Sequence, residues 1–100
     1  MTTLAEMTDF FTEIAPMAAG LNARLKFDLE GDGVILLNAA ADPVSVSNED
    51  AEADTTFYLT LQDLSDMLSR KLDGSLAFSM GRLRAEGDMI NAVLVTQLFG

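Results

Sequence analysis

The run Lys71–Val95, KLDGSLAFSMGRLRAEGDMINAVLV, is cut by Gly74, Gly81 and Gly87 into pieces of different period. Asp73-Gly74 is expected to end a preceding helix, and Ser75–Met80 is too short for its period to separate a helical turn from a strand. Between Gly81 and Gly87, Leu83 and Ala85 alternate with Arg82, Arg84 and Glu86, which predicts a short strand. Asp88 is a good N-cap for a last helix in which Met89, Ile90, Ala92, Val93, Leu94, Val95, Leu98 and Phe99 leave almost no polar face. An all-round apolar helix must be covered by its own domain, by a second subunit, or by a bound apolar ligand.

Upstream of this run, Thr60 and Asp63 have capping-box spacing, and Leu61, Leu64, Met67, Leu68 and Leu72 form one buried helical stripe, with Asp66 and Arg70 paired on its exposed side. Thr55–Thr60 alternates as a strand, and Asn48–Asp54 (NEDAEAD) is an acidic loop, a solvated connector in preference to a cation site. Pro43–Ser47 is a short strand. Arg24–Glu30 alternates charged with apolar residues, and Glu30-Gly31-Asp32-Gly33 turns it back into Val34–Leu37 as a hairpin; the ligand order of a calcium loop is absent from that turn. From Thr3, which has capping-box spacing with Glu6, the residues Leu4, Met7, Phe11, Ile14, Ala18 and Leu21 make a helical stripe that Pro16 should kink and Gly20 should end.

The whole chain has 100 residues, sixteen Asp+Glu, six Lys+Arg, no His and no Cys, for a net charge of −10. That length suits a single domain over residues 1–100. Thiolate and imidazole chemistry, zinc fingers, disulfides and Ser-His-Asp triads are excluded. Nucleic acid and anionic membrane are poor partners for so acidic a surface. Residues 1–60 hold eleven acidic and two basic residues, residues 61–100 five and four, so the acidity belongs to the first part. The apolar fraction, 49%, is high, yet no run approaches the roughly 18 residues of a membrane span. With acidic rather than basic residues near its start, the chain is expected to be cytoplasmic. Carboxylates, hydroxyls and Tyr58 lie mostly on outward strand faces or in loops, and no nucleophile elbow, phosphate loop or metal cluster is present, so no enzyme activity is expected.

Residues Lys71–Val95 resemble the C-terminal signature of the sterol carrier protein 2 family. The resemblance is carried by Ala77-Phe78, Gly81-Arg82-Leu83-Arg84 and Gly87-Asp88-Met89, and upstream by Ala53-Asp54-Thr55-Thr56-Phe57 with the helix around Leu64-Met67-Leu68. It implies an α/β (α+β) fold with a five-stranded, mostly antiparallel sheet and helices enclosing an apolar tunnel. It further implies binding of sterols, fatty acids, fatty acyl chains or other lipids, with no cofactor. Carried to this sequence, the ligand-binding lining would be Phe57, Leu64, Leu68, Phe78, Met80, Met89, Ile90, Val93 and Leu94, with the last helix as a lid. Gly74 stands where the family often has Pro, the N-terminal region is short, and no peroxisomal tripeptide follows Phe99-Gly100. The chain is therefore similar to a small bacterial-type cytoplasmic member.

Pattern alone does not separate a filled core from a lined cavity. Arg82 and Arg84 would contact an anionic headgroup if they shared a face with Arg24 and Lys26; solvated charges guarding an edge strand are the plainer alternative. The expected function is non-catalytic binding or transfer of a hydrophobic lipid, without stable membrane insertion. The alternative is an interaction module, a homodimer or the accessory subunit of a partner enzyme, that buries its last helix.

Overall fold

Thr3 and Glu6 form a complete capping box: Thr3 Oγ1 accepts from the Glu6 N–H at 3.2 Å, and Glu6 Oε1 accepts from the Thr3 N–H at 3.1 Å. In the computed structural model, which describes residues 2–99 and side chains as far as Leu94, this box opens α1 (Leu4–Ile14). Pro16 has no N–H to continue the ladder, so the chain tightens into a 3-10 turn at Ala15–Ala18 before Gly20 leaves it with φ +92. The remaining elements are β1 (Arg24–Asp28), β2 (Val34–Asn38), β3 (Ser45–Ser47), β4 (Thr55–Tyr58), α2 (Leu61–Leu68), α3 (Gly74–Ser79), β5 (Arg84–Gly87) and α4 (Met89–Phe99). Val95, Leu98 and Phe99, part of the expected apolar helix, lie outside the described side chains.

The five strands form one sheet in the order β3-β2-β1-β4-β5, antiparallel at every pairing except the parallel β1–β4. Register places Ile35, Phe27, Phe57 and Ala85 in one row across its inner face. Phe27 stacks on Phe57 with ring centroids 5.0 Å apart, and Phe11 of α1 meets Phe27 at 4.9 Å. All three rings are buried, and Leu25, Leu37, Leu59 and Leu64 pack with them in the same core. The parallel pairing requires the segment after β3 to cross from one edge of the sheet to the far side of β1. The acidic Asn48–Asp54 loop makes that crossing, and it is anchored there: Lys26 Nζ meets Asp50 Oδ1 at 2.9 Å, and Asp54 Oδ2 accepts from the Arg24 N–H at 2.8 Å.

Three boundaries differ from the sequence pattern for local reasons. α2 ends at Leu68, and Asp73-Gly74 opens α3 instead of closing α2, because Asp73 Oδ1 accepts from the Ser75 N–H at 3.3 Å. Arg70 lies beyond that end in the left-handed region, φ +64, while Asp66 accepts from Gln62 Nε2 at 3.0 Å in place of the expected pairing with Arg70. β5 begins at Arg84, not Arg82: the N–H groups of Arg82 and Leu83 both donate to the carbonyl of Ala77, at 2.9 and 3.2 Å, and are unavailable for strand pairing.

The Gly87-Asp88 pair fastens β5 to β4 and starts α4. Gly87 sits opposite Thr55 with φ +102, and a Cβ there would lie 2.2 Å from the Asp54 carbonyl oxygen. Asp88 donates its N–H to that same carbonyl at 3.0 Å, its own carbonyl accepts from Thr55 Oγ1 at 2.8 Å, and its carboxylate accepts from the Ile90 N–H at 2.9 Å. Gly31, at φ +103 with nothing within 4 Å, has the same backbone restriction without the clash. Gly31→Ala is therefore expected to cost about 1 kcal/mol and Gly87→Ala about 2 kcal/mol or more, as read by urea unfolding midpoints. Equal costs would show that the approach to Asp54 is easily relaxed.

Candidate functional site

Phe57 ends the aromatic column and forms the floor of a cleft on the inner side of the β4–β5 end of the sheet. Ser75 and Phe78, three residues apart on α3, form one wall. Met89, Ala92 and Val93, at helical spacing on α4, form the other, and Leu83 closes the cleft from the turn before β5. The cavity measures about 260 Å³. Phe57, Leu83 and Ala92 are buried, whereas Phe78, Met89 and Val93 are 49%, 46% and 56% exposed and form an open rim.

Of the residues expected to line a ligand site, the structure brings together Phe57, Phe78, Met89 and Val93. Leu64 is buried in the main core under the sheet. Leu68 borders a different cavity, with Met7 and Phe10, between α1 and α2. Met80, Ile90 and Leu94 are exposed and lie outside the lining of the cleft. Ser75, Leu83 and Ala92 line the cleft but are absent from the lining that the resemblance implied. Helical spacing held the signal for two of them: Ser75 is three residues before Phe78, and Ala92 three after Met89.

Arg82 and Arg84 part company at the start of β5. Arg82 forms an ion pair with Asp63 of α2, whose carboxylate is nearly buried. The hydrogen bond that the guanidinium donates to that carboxylate raises the Arg82 pKa above its usual value, outweighing partial desolvation. Thr60 Oγ1 still accepts from the Asp63 N–H at 3.0 Å, so Asp63 completes one half of a capping box and gives its carboxylate to Arg82. Arg84 lies on the outer face of the sheet, its guanidinium carbon 5.0 Å from the centroid of the Tyr58 ring. Arg24 and Lys26 share that outer face, but the register interleaves them with carboxylates: Lys26 faces Thr56 and then Glu86, and Asp28 faces Tyr58 and then Arg84. Charges therefore alternate across this face, and the four basic residues do not form one patch. Among the described residues no group of three or more acidic side chains is placed to hold a metal ion, and no helix is long and apolar enough to cross a membrane.

The class defined here is an α+β domain with a five-stranded mixed sheet and an apolar cleft between its last helices and the sheet. The chain belongs to the SCP-2 sterol transfer family, whose family model matches residues 7–100. Binding or transfer of sterols and other lipids is the general activity of that family. No curated protein matches the chain. Among solved structures it is similar to palmitated SCP2L2 from Aedes aegypti, with TM-score 0.76 and 13% identity over 98% of this chain and 95% of that one. It is also similar to the sterol carrier protein domain 2 of Helicoverpa armigera, with TM-score 0.68 and 24% identity over 96% and 79%. A third likeness is to a stereoselective inverting sec-alkylsulfatase from a Pseudomonas species, with TM-score 0.63 and 23% identity, covering 84% of this chain but 14% of that one. Domains of this family are generally non-catalytic, and the sulfatase shows the fold also occurring as a small part of an enzyme.

Tyr58 is the one tyrosine of a chain without tryptophan, so phenolate absorbance reads a single group. Its hydrogen bond with Glu86, Oη to Oε2 at 3.2 Å, raises its pKa above 10.0, with smaller contributions from desolvation and from the charges of Glu86 and Asp28. A raised pKa means that the neutral phenol is favoured by the fold; its stabilisation is full below the unfolded pKa and is lost as pH climbs through the folded one. An absorbance titration is expected to give a midpoint above 10.0, and Glu86→Gln to lower it. A native midpoint at the free-tyrosine value would contradict the contact.

Proposed function

We propose that residues 1–100 act as one non-catalytic domain that binds a lipid tail in the cleft floored by Phe57 and shields it from water during transfer. The observation that carries this reading is the chemistry of the lining: Ser75 is polar, and Phe57, Phe78, Leu83, Met89, Ala92 and Val93 are apolar. Binding would be mainly hydrophobic, at about 0.8 kcal/mol per buried methylene, with little discrimination among tails of similar width. Family membership supports a lipid ligand, and the palmitated structural neighbour supports a fatty acyl chain among the lipids.

The volume, about 260 Å³, is a little below the roughly 300–1,000 Å³ of most small-molecule sites. A flexible chain suits such a space better than a rigid ring system, because it can thread part of its length inward and lay the rest over the open rim. A tunnel would then be the ligand-bound form of the cleft, with α4 folded closer over the chain. For an acidic headgroup, Arg82 is the better placed of the two arginines: it adjoins Leu83 of the lining, whereas Arg84 is on the far face of the sheet. Engagement there would compete with Asp63.

Freshly purified protein, denatured and analysed by mass spectrometry, is expected to release a bound fatty acid or related lipid. The apo protein is expected to bind a fluorescent fatty acid. Val93→Asp puts a charge on the rim at a position exposed enough to spare the fold, and should weaken that binding about tenfold or more. No co-purifying lipid together with no fluorescent fatty acid binding would sink the reading.

A further inference from the structure

Three donors beside the cleft are suited to an anionic head, and carboxylates of this chain already occupy all three. Arg82, next to Leu83 of the lining, forms its ion pair with the buried Asp63 of α2. Its backbone is tied down as well, since its N–H donates to the Ala77 carbonyl at 2.9 Å. On the two walls, the Asp73 carboxylate accepts from the Ser75 N–H of α3 at 3.3 Å, and the Asp88 carboxylate accepts from the Ile90 N–H of α4 at 2.9 Å. Guanidinium groups and free backbone N–H groups are where a fold ordinarily stabilises a bound anion. Arg84 lies on the far face of the sheet, and Arg70 and Lys71 are exposed outside the lining. We propose that Asp63, by holding Arg82, sets the head-group specificity of the cleft, so that the lipid it takes carries an uncharged hydroxyl or ester in place of a carboxylate or phosphate.

This inference rests on the lipid-binding reading above and adds the class of lipid to it. An acidic head has two ways to bind beside the cleft, and both are costly. It displaces Asp63 from Arg82, which leaves a buried carboxylate without its partner, a larger loss than a new pair at the half-exposed guanidinium returns. Otherwise it sits near Asp73 and Asp88 with no cation to offset their repulsion, and the net charge of −10 acts in the same direction. A hydroxyl or an ester carbonyl meets neither cost. Ser75, the one polar residue among the described lining, suits such a head, because its hydroxyl both donates and accepts and stands exposed on the wall.

The test measures direct binding of a pyrene-labelled fatty acid and of the alcohol of the same chain length to the full chain, at about pH 8, well above the usual carboxyl range. The native protein is expected to bind the alcohol about tenfold more tightly than the acid. Asp63→Asn keeps the shape of the side chain and releases Arg82, and should bring the acid to the affinity of the alcohol or beyond it. Asp63→Asn/Arg82→Gln removes the released cation and should restore the native preference. Native protein that binds the acid as tightly as the alcohol would overturn the proposal and leave the lipid-binding reading standing, a comparison that needs no variant to fold. A ratio unchanged by Asp63→Asn, in protein shown to be folded by its urea midpoint, would overturn the role of Asp63. Binding of neither probe would overturn the lipid-binding reading and, with it, the premise of the proposal.

Discussion

The stacking of Phe27 on Phe57 joins the N-terminal and C-terminal halves of the molecule at the centre of their shared core. Phe27 belongs to the N-terminal hairpin and Phe57 to the strand that leads into the last three helices; the parallel β1–β4 pairing sets them side by side. Aromatic pairs at this spacing add about 0.5–1.5 kcal/mol to the area that they bury, but position matters more here than energy. Phe11 covers one end of the column, fixing α1 on the sheet. At the other end Phe57 is the floor of the cleft, with Phe78, Leu83, Met89, Ala92 and Val93 around it. Core and cleft are one continuous apolar mass, filled on the α1 side and left short of side chains on the α4 side.

Much of this was legible in the sequence because local chemistry and tertiary placement agree. Thr3 and Glu6 cap a helix by themselves, Gly31 and Gly33 permit the hairpin whatever surrounds it, and Gly87-Asp88 combines a close backbone approach with a helix cap in two residues. The reading failed where a side chain or backbone group had two possible partners. Asp63 has the spacing to close its own box but lies within reach of Arg82; Arg82 has the alternation of a strand but an open carbonyl at Ala77. Period cannot choose between such partners, since the choice is made by elements distant along the chain.

The site was legible in its walls and not in its limits. Phe57, Phe78, Met89 and Val93 follow from apolar pattern and resemblance, but Leu64 and Leu68 share one helical stripe and end in different places, the first under the sheet and the second beside α1. Ala92 is legible only as one residue of the apolar last helix, and its small side chain leaves space that a larger one would fill. A cleft is made by what is missing, and hydropathy records only what is present. The net charge has a similar lesson: its sum suggests a uniformly repulsive surface, but Lys26–Asp50 and the Arg24–Asp54 contact show part of the acidity at work in holding the crossing loop to the sheet.

The joint between Thr55 and Asp88 spans 33 residues, so it forms only after the chain through Asp88 has been made. Until Arg84–Gly87 has emerged, β4 presents a bare edge and Phe57 an uncovered ring, and until α4 follows, the cleft has one wall. Strands that wait for distant partners expose backbone donors and acceptors to other chains in the meantime. Here the exposed edge, Thr55–Tyr58, is four residues long and is preceded by Glu52 and Asp54, whose charges oppose the approach of another nascent copy. The acidity of the crossing loop is thus placed to oppose such pairing while β5 and α4 are still to come.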